Sequence, residues 1–159
     1  MLHTRRRLLL IKIMTITSAN KYRDKVIALL KAENLPVADL PASLETFAVA
    51  LQGDELAGVA GLEIYGSYGL LRSLAVDKRF RNKGIALQLL NAVEAMAAEN
   101  KLQALYLLTE TAPGYFTRNG FEQVARTAIP TEVQGSTEFS HVCPQSAIAM
   151  KKKLIRNNY

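Results

Sequence analysis

Leu74-Ala75-Val76-Asp77-Lys78-Arg79-Phe80-Arg81-Asn82-Lys83-Gly84-Ile85-Ala86 is the stretch whose reading decides the fold. The apolar run Leu70 to Val76 predicts an interior strand, and Gly84 to Glu99 predicts a helix, with Ile85, Leu89, Val93 and Met96 at helical spacing. Asn100 accepts a left-handed conformation and closes that helix. Between strand and helix lies a basic turn. The first amides of a helix have no partner inside it, and together with the helix dipole they seat a phosphate group. Gly84 lets the backbone approach such an anion, Ala86 keeps the first turn uncrowded, and Arg81 and Lys83 add charge. Neither G-x-x-x-x-G-K nor G-x-G-x-x-G occurs, so this is neither of the usual nucleotide loops.

Upstream, Met14 to Thr17 ends a first strand, and Tyr22, Val26, Leu29, Leu30 and Glu33 share one side of a helix. Asn34-Leu35-Pro36 stops that helix, because a residue before proline avoids the helical region. Residues 44–52 and Leu56 to Tyr65 read as strands, separated by Gly53-Asp54 and followed by the turn Gly66-Ser67-Tyr68-Gly69. Downstream come a strand from Leu105 to Thr109, a short helix from Ala112 to Asn119, and strands at Phe121–Arg126 and Ser146–Lys152. The segment Pro130–Pro144 between the last two reads as loop or short helix. The predicted order is β-α-(α)-β-β-β-α-β-α-β-β, a mixed α/β (α+β) sheet and not an all-parallel one.

A chain of 159 residues suits one domain, here 14–153, with an N-terminal extension at 1–13 and a tail at 154–159. The net charge is +6, yet residues 1–13 and 151–159 hold eight of the twenty basic side chains and no acidic ones. The body between them balances at −2, which argues against a nucleic-acid module, whose basic stripe belongs on the folded body. The apolar run after Arg7 is four residues long, too short for a secretory signal or a membrane span. Cys143 is the sole cysteine, so no intrachain disulfide forms and a reducing cytoplasm is the expected setting. One cysteine with His3 and His141 cannot build the usual four-ligand zinc site, and no metal is expected.

Arg81-x-x-Gly84-x-Ala86 after Leu74-Ala75-Val76 resembles the pyrophosphate loop of the GCN5-related N-acetyltransferases. Ala112-x-x-x-Phe116-x-x-x-Gly120-Phe121 resembles that family's second signature, and the element order fits over about residues 14–153. The resemblance implies the family's acyl-CoA N-acyltransferase fold and acetyl-CoA as cosubstrate. It implies amides of Arg81, Asn82, Lys83, Gly84, Ile85 and Ala86 around the pyrophosphate. Backbone groups of Leu74 and Val76 would hold the pantetheine arm where the central strand splays from the next, through a bulge. An amide at Ala75 or Val76 would face the thioester oxygen. Thr109, Ala112 and Phe116 complete the coenzyme contacts so implied. Gly61 to Gly66, Leu70 to Val76, Leu107-Leu108-Thr109 and Glu138 to Ala147 are similar to small acetyltransferases of bacterial arsenic-resistance operons. That likeness implies a small amino compound as acceptor, with an amino-acid-like toxin as one candidate, and does not identify it. The terminal placement of the basic residues and the short apolar run set aside nucleic-acid and membrane partners, and a homodimer is compatible with the reading.

The expected reaction is direct attack of a neutral amine on the thioester through a tetrahedral intermediate. Glu63 is the candidate base, with a hairpin surface position as its alternative. Arg72, a charge on the central strand, either pairs with a carboxylate such as Glu63 or clamps a substrate carboxylate. Ser73 either faces the core or hydrogen-bonds substrate, His141 is a further candidate for the acceptor side, and Phe47 either walls an acceptor pocket or belongs to the core. Phe116 occupies the position where the family often has a general-acid tyrosine. Tyr115 is one place earlier, about 100° around a helix. Solvent protonation of the leaving thiolate is the favoured expectation, with Tyr115 as the alternative acid. Cys143 lacks the surroundings of a nucleophile. A coenzyme-binding regulatory module and a protein N-acetyltransferase are the rival functions.

Overall fold

The computed structural model describes residues 13–137, 139 and 146–154. Seven strands form one sheet: β1 (Met14–Ser18), β2 (Phe47–Gln52), β3 (Glu55–Tyr65), β4 (Tyr68–Val76), β5 (Ala104–Thr109), β6 (Glu122–Gln123) and β7 (Ile148–Lys153). Their spatial order is β1-β2-β3-β4-β5-β7-β6, and every pair is antiparallel except β4–β5. The strand expected to be central therefore is, and the crossover that makes its parallel neighbour runs through the long helix. The helices are α1 (Arg23–Ala32), α2 (Ile85–Glu99), α3 (Pro113–Arg118) and α4 (Thr131–Gln134).

Helices α1 and α2 cover opposite faces. Ile85, Leu89, Leu90, Val93 and Ala97 of α2 pack on Ala48, Ala50, Ala57, Ala60, Leu62 and Leu71. The small side chains on that sheet face let the helix sit close. On the other face Val26, Leu29 and Leu30 of α1 meet Phe47, Val49, Leu51, Leu56 and Val59. A third cluster joins Leu70 and Tyr106 to Val133 of α4 and to Phe139, so the segment after Pro130 covers part of the α1 side. Phe47 is fully buried, and a β-carbon on Gly61 would lie only 2.4 Å from its ring. Phe47 is thus a core residue seated over a glycine. Of its two readings the structure shows the core one: Phe47 is not among the cleft walls, and the Arg72 guanidinium lies 6.0 Å from the centre of its ring.

Two elements are shorter than expected. The strand predicted over 44–52 begins at Phe47, because Asn20 Oδ1 and Ser43 Oγ accept from the amides of Leu44 and Glu45 and hold a turn there. The strand predicted over Phe121–Arg126 pairs only at Glu122 and Gln123, then gives way to a 3-10 turn at Arg126–Ala128.

Two irregularities in β4 shape everything that follows. Opposite β3, Val59 pairs with Ala75 and Gly61 with Arg72, so two steps on β3 face three on β4. The extra residue falls at Ser73–Leu74, and Ser73 takes a left-handed φ of 59°, a bulge that re-aims the strand. Opposite β5, the ladder joins only Tyr68, Gly69 and Leu70 to Ala104, Leu105 and Tyr106. Beyond Leu70 the two strands diverge.

Candidate functional site

The divergence opens a cleft of about 720 Å³. Its walls are Leu71 to Val76 from β4, Leu107 to Ala112 from β5 and the loop beyond it, Tyr115 and Phe116 from α3, and Glu33 to Pro36 beyond α1. Ala86, in the first turn of α2, closes one end. Leu74, Ala75, Val76, Ala86, Thr109, Ala112 and Phe116, all expected at the coenzyme site, thus share one cavity with Arg72, Ser73 and Tyr115.

The turn leading into α2 adjoins that end. Asp77 caps it, accepting from the Arg79 amide at 2.9 Å, and the Arg79 side chain at its flank holds the Asp77 carboxyl below the usual range. Asn82 and Gly84 are left-handed, with φ of 63° and 74°. Gly84 is the N-cap and supplies no capping side chain, so the amides opening α2 have no side-chain partner. Residues 81–84 are exposed, whereas the Ile85 side chain is buried in the core. Only the main chain of Ile85 is therefore available to a ligand. Arg81 Nη2 donates to Glu33 Oε1 at 2.6 Å, linking the turn to the end of α1.

On the acceptor side the structure realises the ion-pair alternative for Arg72. Its Nη1 and Nη2 reach Asp39 Oδ2 and Oδ1 at 2.7 and 2.9 Å, a bidentate pair. Nη1 also donates to Glu63 Oε1 at 3.3 Å, and Nε to Ser73 Oγ at 3.0 Å. The side chains of Arg72 and Asp39 are 1 % and 6 % exposed. Ser73 is buried and turned toward this network: it lines the cleft while its hydroxyl accepts from Arg72. Glu63 is not among the cleft walls and stands behind Arg72. Burial and the Glu63 carboxylate together push the neighbouring Tyr65 phenol up to about 12.

Asp39 escaped the sequence reading, although a signal existed. It is the only charged residue between Glu33 and Glu45, in a segment otherwise fit for burial, and Arg72 needed a partner. His141 lies outside the described residues, as does Cys143.

Across the cleft, Thr109 Oγ1 accepts from the amide of Ala112, the residue before α3, at 3.1 Å. Phe116 is buried, edge-on to both Tyr115 and Phe121 at 5.4 and 5.6 Å between ring centres. The Tyr115 hydroxyl is buried and has no hydrogen-bond partner among the described residues. Burial pushes its phenol up, so at neutral pH it keeps its proton. The one-place offset from Phe116 does not remove Tyr115 from the site; both residues wall the same cavity. No group of metal-ligating side chains occurs among the described residues. No described helix is long and apolar enough to cross a membrane.

A mixed sheet parted between two parallel strands, beside a long helix led by an uncapped glycine turn, is the acyl-CoA N-acyltransferase architecture. The solved structures agree. N-acetylglutamate synthase from Neisseria gonorrhoeae, complexed with coenzyme A and N-acetyl-glutamate, superposes with a TM-score of 0.75 over 91% of this chain at 16% identity. A Mycobacterium tuberculosis protein in complex with CoA gives 0.72 over 90% of this chain and 99% of its own, at 20% identity. A GNAT-family acetyltransferase from Staphylococcus aureus gives 0.70 over 90% and 100%, at 22% identity.

The family described as an acetyltransferase (GNAT) domain matches residues 43–123, from the turn before β2 through β6. The chain belongs to this family of acetyltransferases. A curated relative, an uncharacterized N-acetyltransferase of Chlorobaculum tepidum, is 29% identical over 98 residues, 61% of this chain. The match spans 63% of that relative's length, and the superposition spans 36% of the neisserial chain.

Proposed function

We propose that this protein transfers an acetyl group from acetyl-CoA to the primary amine of a small molecule. The observation that carries the proposal is the parted β4–β5 seam, whose cavity is walled by Ala86 in the first turn of α2 and by Arg72 and Ser73 of β4. Acetyl-CoA supplies an activated acyl carbon with a good leaving group. The residues present suit it. The amides of Ile85 and Ala86 at the uncapped start of α2, with left-handed Asn82 and Gly84 before them, suit an anion seat for the diphosphate. The main-chain groups of Leu74 and Val76 on the parted edge hold an extended arm as an adjacent strand would. A cavity of about 720 Å³ is within the range of small-molecule sites, roughly 300–1,000 Å³.

The protein's own groups then divide the proton work. Tyr115 lines the cavity, and its buried hydroxyl has no hydrogen-bond partner among the described residues, which supports it as the acid, ahead of solvent. Glu63, set back behind Arg72, suits a base that receives the amine proton through water. The segment after Pro130, packed over Leu70 and Tyr106, favours a small enclosed acceptor over a peptide groove. A cytoplasmic setting belongs to the same proposal and rests on the lone Cys143.

Coenzyme A release, measured by thiol titration with acetyl-CoA and a panel of small amines, tests the function. Turnover with at least one amine is expected; coenzyme affinity without any turnover would mark a sensor instead. Tyr115→Phe should lower kcat by about 100-fold, as loss of a general acid does, with coenzyme affinity retained. Its melting temperature should hold or rise, because an unsatisfied hydroxyl has been removed. An unchanged kcat would return proton delivery to solvent.

A further inference from the structure

The pairing of Asp39 with Arg72 bears on which amines the cleft accepts, an inference that rests on the acetyltransferase reading above. Arg72 is the residue on the cleft wall that a carboxylate-bearing acceptor would seek, since its planar fork matches a carboxylate. That fork is already engaged. Asp39 takes one hydrogen bond from each terminal nitrogen, and Glu63 and Ser73 take one each from Nη1 and Nε. Asp39 sits on the loop that begins with the cleft-lining residues Asn34, Leu35 and Pro36, so it acts as a built-in carboxylate at fixed distance.

A free carboxylate has to compete with that internal one, which gives up no translational entropy to stay bound. If the substrate displaced it, Asp39, at 6 % exposure, would be left buried without its counter-charge. Charge acts in the same direction. Among the described residues the cluster sets two carboxylates, Asp39 and Glu63, against the single guanidinium of Arg72. A third carboxylate brought there meets like charge, whereas an amine or a second cationic group meets opposite charge.

We propose that Asp39, by occupying both terminal nitrogens of Arg72, makes this cleft select amines that carry no carboxylate. Asp39 is a positioning residue: it touches Arg72, and through it sets what Arg72 can recognise. The acceptor class is then a decarboxylated or amidated amine, not a free amino acid.

The test uses the full chain, acetyl-CoA and two matched pairs, phenylalanine against phenethylamine and lysine against cadaverine. The wild type should show a kcat/KM for the carboxylate-free member higher by about 10-fold or more. Asp39→Asn keeps the side-chain shape and removes the charge. It should bring the two members of each pair within about 3-fold, through a fall in KM for the amino acid, with coenzyme affinity unchanged. A purely structural role for Asp39 would lower both members equally and leave their ratio alone. A wild type that favours the amino acids, or an unchanged ratio in folded Asp39→Asn, overturns the inference. If the variant does not fold, the wild-type pairs decide alone. Absence of coenzyme affinity in the wild type is a separate signal and refutes the acetyltransferase reading itself.

Discussion

Gly84→Val is expected to bind acetyl-CoA about 10- to 100-fold more weakly, because holding a β-branched residue in a left-handed conformation costs about 1–3 kcal/mol. The wild-type φ is 74°, and a β-carbon there would meet nothing within 4 Å. The penalty is therefore conformational and not a collision. The turn is exposed, so in the unliganded variant it relaxes to a negative φ at small cost to folding. Coenzyme must then re-impose the strained form, and the loss falls on affinity. Calorimetry with coenzyme A, beside a thermal melt, separates the two. Gly84→Asn should keep most of the affinity, since asparagine tolerates this conformation. Full affinity in the valine variant would remove the anion seat from the proposal.

Arg72→Ala should lose about 3–5 kcal/mol of stability, the cost of leaving a buried charge without its partner. Asp39 is the group abandoned, with Glu63 beside it. For a chain of this size that corresponds to a fall in melting temperature of about 6–20 °C. Asp39→Leu in the same background should recover part of the loss, because the orphaned carboxylate is gone; the double-mutant cycle measures the coupling. Arg72→Lys keeps the charge but loses the fork, and should fall between. A change below about 2 °C for Arg72→Ala would show that the pair is solvated and of little consequence.

The fold was legible where its signals are local. Helical spacing from Ile85 to Met96, the proline after Leu35, and the turn at Gly66 to Gly69 each set an element without help from distant residues. Part of the cleft was legible for the same reason, since strand, turn and helix start are contiguous in 74–86, and Leu74, Ala75, Val76 and Ala86 of that stretch line it. The surroundings of Arg72 were not. Asp39 and Arg72 are 33 positions apart, and their pairing depends on how the loop after α1 lies over β4. Phe47 was ambiguous for a related reason: an aromatic side chain can wall a pocket or fill a core, and only the close approach of Gly61 across the β2–β3 pair decides. The position of Tyr115 likewise depends on the tilt of α3 against the cleft, which residue spacing does not contain.

The parted seam also bears on how this protein avoids sticking to its neighbours. Exposed strand margins recruit other chains, and most sheets blunt them with charge, proline or short length. Here two margins, from Leu71 on β4 and from Leu107 on β5, lie inside the molecule and face one another across the gap. Each is guarded by its own outer neighbour, β3 or β7. A slender, flexible chain can slip between them, while a foreign strand flanked by its own sheet is too wide to enter. On the proposed function, the same gap would offer main-chain hydrogen bonds to coenzyme while withholding them from aggregation.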